Sequence, residues 1–112
     1  MDATTLRAAL TEAAIGTEQL LRSLGADIAS IVDARRDTST DDEHDPEGST
    51  LAYERSQADA LRAGALARLD DIQLAFQRVD RGDFGRCEVC GRPIPDERLE
   101  LRPWTNRCVD HA

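Results

Sequence analysis

Two seams of apolar residues stepping by threes and fours, an acidic breaker-rich stretch between them, and a Cys-x-x-Cys…Cys-x-x-His pattern near the end together predict a mainly α fold. The expected architecture is a long antiparallel two-helix coiled-coil hairpin over residues 1–81, followed by a small metal-bound finger over 82–112. Only Tyr53, Phe76, Phe84 and Trp104 are aromatic in 112 residues, too few for a large globular core. Two of the four fall in the C-terminal stretch, where a minimal core needs them.

The first arm carries Leu6, Leu10, Ala13, Thr17, Leu20, Leu24, Ile28 and Ile31 on one seam, and its roughly 30 residues contain no proline. Asp2 or Thr4 is placed to cap its start, and Arg35 and Arg36 suit the negative end of its dipole. The second arm repeats the pattern with Ala58, Leu61, Ala65, Leu69, Ile72, Phe76 and Val79. Ser49 or Thr50 is the expected N-cap, and Gly82 the expected stop. A turn centred near Glu43 sets the register: facing residues have numbers summing to about 85 or 86, which puts Leu10 by Phe76 and Leu24 by Leu61. Gly16, Gly25 and Gly64 each cost roughly 1 kcal/mol against alanine in a helix interior and are candidate bends. Arms of this length, at about 1.5 Å per residue, reach roughly 45 Å.

Residues 37–49 form the expected tip loop. Between Asp37 and Gly48 lie six acidic residues and no basic one, with Pro46 and Gly48 as breakers. Three readings stand side by side: a solvated loop favouring the next helix N-terminus through its dipole, a divalent-cation loop, and an acidic probe for a basic or metal-containing cleft. The cation reading lacks the alternating carboxylates and closing Glu of an EF-hand. His44 reads as a surface residue.

Cys87, Cys90, Cys108 and His111 have the spacing of two facing metal knuckles, separated by seventeen residues between Cys90 and Cys108. Three thiolates and one imidazole favour structural Zn²⁺ over an iron–sulfur cluster, and Gly91 suits the turn after the first pair. Phe84, Ile94, Leu99, Leu101 and Trp104 are expected to pack over the site and against the base of the hairpin, and Pro95 to open a short helical turn. A module of this size cannot stabilise itself by burial, whereas zinc supplies an apparent binding energy of about 10–16 kcal/mol.

Composition excludes several function classes. A net charge of −8 argues against phosphate-backbone binding as the main activity and for a basic protein surface as partner. Residues 82–112 hold five Arg against six Asp/Glu, which disfavours a DNA-binding finger. The absence of lysine removes Schiff-base and Walker-type chemistry. A deaminase would need His-x-Glu upstream and a proline before the first Cys-x-x-Cys, where Arg86 stands; no catalytic residue is expected. Neither a signal peptide nor a run of about 18 apolar residues is present, so a reducing cytoplasm is expected.

The run Asp83-Phe84-Gly85-x-Cys87-x-x-Cys90-Gly91-x-x-Ile94-x-x-x-Arg98-Leu99-Glu100-x-Arg102-Pro103-x-x-x-x-Cys108-x-Asp110 resembles the zinc-finger signature of the DksA/TraR family. The resemblance covers roughly residues 80–111 and, as architecture, the helical hairpin before them. It implies a bacterial regulator that binds RNA polymerase and inserts the acidic tip into the secondary channel. That favours the probe reading, with Asp45 first, then Asp42, Asp41 and Glu43 as partner-binding tip residues. The family's fourth ligand is cysteine, where His111 stands here. Aligning Asp45-Pro46 with the family's Asp-Pro-x-Asp-x-Ala, with one gap, puts Gly48 at the second Asp and Thr50 at the Ala. Of the basic positions linked to ppGpp only Arg102 is kept, Asp71 and Ala112 occupying two others, so a ppGpp response does not follow from the resemblance. The chain is expected to act as a monomer. The rival reading is a non-enzymatic zinc-finger adaptor or assembly protein with no polymerase activity.

Overall fold

A computed structural model describes residues 1–36 and 46–112, the side chains of 46 and 47 excepted. Helix α1 runs Ala3–Arg36, α2 Pro46–Asp80, the short α3 Asp96–Leu101, and a 3₁₀ turn η1 Val109–His111 closes the described chain. The long helices pack as the antiparallel coiled-coil hairpin that the two seams predict. The chain divides into two compact units, one of Met1–Thr17 with Ala67–Ala112, the other of Glu18–Leu66.

The helix ends follow the local chemistry. At the start of α1 the Asp2 carboxylate accepts the Thr5 backbone N–H at 2.7 Å, the N-cap bond expected of it. That same N–H holds the Asp2 carboxyl below the ordinary carboxylate range. Helix α2 opens at Pro46, three residues before the expected Ser49 cap. The first turn of a helix needs no N–H donor from its residues, and a proline's fixed φ is already helical, so Pro46 starts the helix instead of breaking it. At the other end, Gly82 at φ 72° stops α2. Asp83 N–H donates to Arg78 C=O at 2.8 Å and Gly82 N–H to Val79 C=O at 3.0 Å, the paired bonds of a Schellman motif.

Burial follows a heptad. On α2 the buried Ala58, Ala65, Ile72 and Val79 are spaced by seven, and on α1 the buried Leu10, Thr17 and Leu24 likewise, with Ala75 and Leu6 buried beside these lines. Thr17 satisfies its buried hydroxyl by donating to Ala13 C=O at 2.8 Å. In the first unit Leu6, Leu10, Ile72, Ala75 and Val79 form the core, with Phe76 and Leu69 packed against it, so Leu10 and Phe76 share one cluster, in keeping with the expected register. An Arg7–Asp80 ion pair of 2.6 Å ties the arms beside that core. In the second unit Leu24, Ile31, Ala58 and Leu61 line one groove between the arms, again in the expected register.

Three expected core residues are corrected. Leu20 is 42% exposed, Leu61 59% and Leu101 81%. Leu61 lies three positions past Ala58, off the heptad line and on the flank of a seam whose buried side chain there is only a methyl. Leu101 ends the six-residue α3, which buries only Leu99. None of the three helix-interior glycines breaks its helix, and a Cβ on Gly16, Gly25 or Gly64 would meet nothing within 4 Å.

Leu10→Ala is expected to destabilise by about 2–5 kcal/mol, whereas Leu61→Ala stays within about 0.5 kcal/mol of the parent. Gly64→Ala should gain about 0.4–1 kcal/mol. Urea unfolding followed by circular dichroism checks all three.

Candidate metal centre

The turn that ends α2 hands the chain to a tight hairpin. Ile94 N–H donates to Gly85 C=O at 2.8 Å and Cys87 N–H to Arg92 C=O at 2.9 Å, with Arg86 bridged to Pro93 between them. At the tip Gly91 takes φ 72° and donates to Cys87 C=O at 2.9 Å. Only glycine holds that left-handed angle without cost, and it turns Cys90 back toward Cys87. Val89 N–H points at Cys87 Sγ at 3.4 Å. The second pair arises differently: η1 carries His111 round to Cys108, with His111 N–H donating to Cys108 C=O at 3.1 Å.

Glu88 ties the two knuckles together. Its carboxylate accepts Asn106 Nδ2 at 2.7 Å and Arg107 Nε at 2.8 Å, and its backbone N–H donates to Asn106 C=O at 2.8 Å. Beneath them Cys87, Ile94 and Leu99 form a second small core. Phe84 and Trp104 pack on the core at the base of the hairpin, one of the two places expected of them, and not on this second core.

The donor atoms of Cys87, Cys90, Cys108 and His111 lie within 4.8 Å of one another, so all four predicted ligands converge. For tetrahedral zinc, Zn–S bonds of about 2.3 Å and Zn–N bonds of about 2.0–2.1 Å require S···S edges near 3.8 Å and S···N edges near 3.5 Å. The Cys90–Cys108 sulfurs are 3.8 Å apart, and His111 Nδ1 is 3.8 Å from Cys87 Sγ and 3.1 Å from Cys108 Sγ. The residues fit a zinc ion. Four protein donors leave no open vertex for substrate or water, which makes the role structural.

The thiols are unequally prepared. Burial pushes the Cys87 thiol up, but the backbone N–H groups of Cys108, Cys90 and Val89 and the Cys90 thiol outweigh it and bring it down to about 6. Burial, together with hydrogen bonds shared with Cys87 and Cys90, raises the Cys108 thiol. At neutral pH Cys87 is thus better prepared as a thiolate than Cys108, from which zinc binding would displace a proton.

One feature escaped the sequence reading. Arg78, Arg98, Arg102 and Arg107 line a concavity of about 220 Å³ with Trp104 and Asp71. Arg102 stands 5.9 Å and Arg68 4.8 Å from the Trp104 ring centroid, in cation–π range. Arg78 donates to Trp104 C=O at 3.1 Å. Net charge concealed this basic site, because its arginines are scattered from 68 to 107 among acidic neighbours. The candidate tip carboxylates Asp41, Asp42, Glu43 and Asp45 lie outside the described residues.

Removing zinc with a chelator should abolish the near-ultraviolet dichroism of Trp104 and open residues 82–112 to protease, and Cys87→Ser should fail to retain stoichiometric zinc. A chelated protein with released zinc and an unchanged Trp104 signal would contradict a structural role.

Residues 82–110 match the family described as prokaryotic dksA/traR C4-type zinc finger, a match that ends one residue before His111. The chain is 32% identical over 80 residues to the uncharacterized protein YteA of Bacillus subtilis, covering 71% of this chain and 34% of that one. It is 44% identical over 39 residues to the RNA polymerase-binding transcription factor DksA of Escherichia coli, covering 35% and 26%. The chain spans less than half the length of the curated relatives it matches. Among solved structures, that of transcription factor DksA2 from Pseudomonas aeruginosa is similar at a TM-score of 0.52 and 26% identity, covering 98% of this chain and 85% of that one. With the family signature and the four converging donors both present, residues 82–110 form a zinc finger of the DksA/TraR type, carried on a helical hairpin similar to that of DksA2.

Proposed function

We propose that the protein is a non-enzymatic, zinc-containing transcription regulator that binds RNA polymerase. The observation that carries this reading is the 44% identity to a protein named as an RNA polymerase-binding transcription factor, spread over 39 residues. In the proposed mechanism the hairpin enters the polymerase secondary channel and presents Asp45, with Asp42, Asp41 and Glu43 beside it. The acidic composition of residues 37–48 supports this, since a carboxylate-rich segment is attracted by a basic or metal-bearing cleft. Zinc holds Cys87, Cys90, Cys108 and His111 together and takes no part in a reaction.

The finger docks as well. Trp104 and the arginines around it have the composition of an interface hot spot, in which an aromatic and guanidinium groups carry most of the affinity. Asp71 and Ala112 line the same concavity as Arg102, so two positions that the family links to ppGpp present a carboxylate and a methyl. A ppGpp response is therefore not part of the proposed activity. No helix among the described residues is long and apolar enough to cross a membrane. The proposed compartment is the cytoplasm, and the working form a monomer.

Co-purification with the cognate polymerase at low and moderate salt tests the reading, and in-vitro transcription tests the tip. Asp45→Ala should leave binding within a few-fold of the parent and remove most of the effect on transcription. Trp104→Ala should weaken binding by about 2 kcal/mol or more, roughly thirtyfold, as truncating a hot spot does. Failure of the wild type to bind would leave the rival reading, a zinc-finger adaptor without polymerase activity.

A further inference from the structure

The structure assigns Nδ1 of His111, not Nε2, as the fourth zinc donor, giving a three-thiolate, one-imidazole site in a finger whose family is of the four-cysteine type. The assignment rests on the metal centre and is independent of polymerase binding.

The geometry that carries it is local. Cys108 is the N-cap of the 3₁₀ turn that ends at His111, and His111 N–H donates to Cys108 C=O at 3.1 Å, which holds the two residues close together. A cysteine at 111 would present a sulfur one bond from its Cβ. In histidine the nearer ring nitrogen, Nδ1, is the atom that reaches closest to that place, while Nε2 lies on the far side of the ring. Nδ1 is 3.1 Å from Cys108 Sγ and 3.8 Å from Cys87 Sγ, and these distances straddle the S···N edge of about 3.5 Å that zinc bond lengths require. Nε2 makes no hydrogen bond among the described residues.

Two chemical consequences follow. A metal on Nδ1 fixes the neutral ring with its proton on Nε2, so His111, which is only partly buried, offers a hydrogen-bond donor where a cysteine ligand offers none. With three thiolates instead of four, the zinc site carries one negative charge in place of two. The knuckle that stands nearest the end of the described chain thus turns a less anionic, donating face outward.

Long-range ¹H–¹⁵N correlation of the histidine rings in the ¹⁵N-labelled full chain, with zinc and after chelation, tests this directly. His44 serves as the internal reference for a ring not on the metal. With zinc, His111 should show a metal-bound Nδ1 and a protonated Nε2, and chelation should return it to the pattern of an unligated ring. In the cobalt-substituted protein, His111→Cys should increase the thiolate-to-metal charge-transfer intensity by about a third and keep the metal. His111→Ala should weaken zinc binding by more than about tenfold. A metal-bound Nε2 overturns the assignment. So does a His111 ring that zinc leaves unchanged while the three cysteines still hold the metal, a result that would leave the zinc centre itself standing.

Discussion

Four donor atoms from two knuckles, seventeen residues apart in sequence between Cys90 and Cys108, must meet at one point, and the C-terminal module is shaped by that requirement. Its own core of Cys87, Ile94 and Leu99 is too small to hold a fold. Every other feature serves the convergence. Gly91 turns the first knuckle, η1 carries the second, and Glu88 pins Asn106 and Arg107 so that the knuckles face each other. The Schellman turn at Gly82 then delivers this arrangement at a fixed angle from the end of α2. Phe84 and Trp104 complete the join by packing on the cluster of Leu6, Leu10, Ile72, Ala75 and Val79.

Most of this was legible in the sequence because the signals are periodic or chemically scarce. Heptad spacing placed both long helices, and three cysteines with a histidine at knuckle spacing named all four donors. The misreadings share a cause. The apolar character of Leu20, Leu61 and Leu101 predicts a place in the core, yet burial depends on where a side chain stands relative to its packing partners, and an alanine-rich seam leaves leucines on its flanks. Proline breaks a helix from inside, which is what Pro46 suggests in sequence, whereas its position at the first turn reverses the effect.

The arginine concavity around Trp104 was invisible for a different reason. Arg68 and Arg78 come from α2, Arg98 from α3, Arg102 and Arg107 from the segment after it, and no window of sequence contains them together. Only folding concentrates their charge, in a chain whose formal balance is −8. A basic site inside an acidic protein confines attraction for anionic partners to one face, while the remaining surface repels them.

The seven-residue spacing of the buried positions also limits how such a protein can change length. Deleting one residue from either arm turns everything beyond it by about 100° and sets the seam against solvent. The Arg7–Asp80 pair and the Schellman turn fix the register at the base, so a change in one arm has to be matched in the other. Insertions that preserve packing therefore come in paired whole heptads, each adding about 10 Å to both helices. Reach along the hairpin is a stepped variable in evolution, not a continuous one.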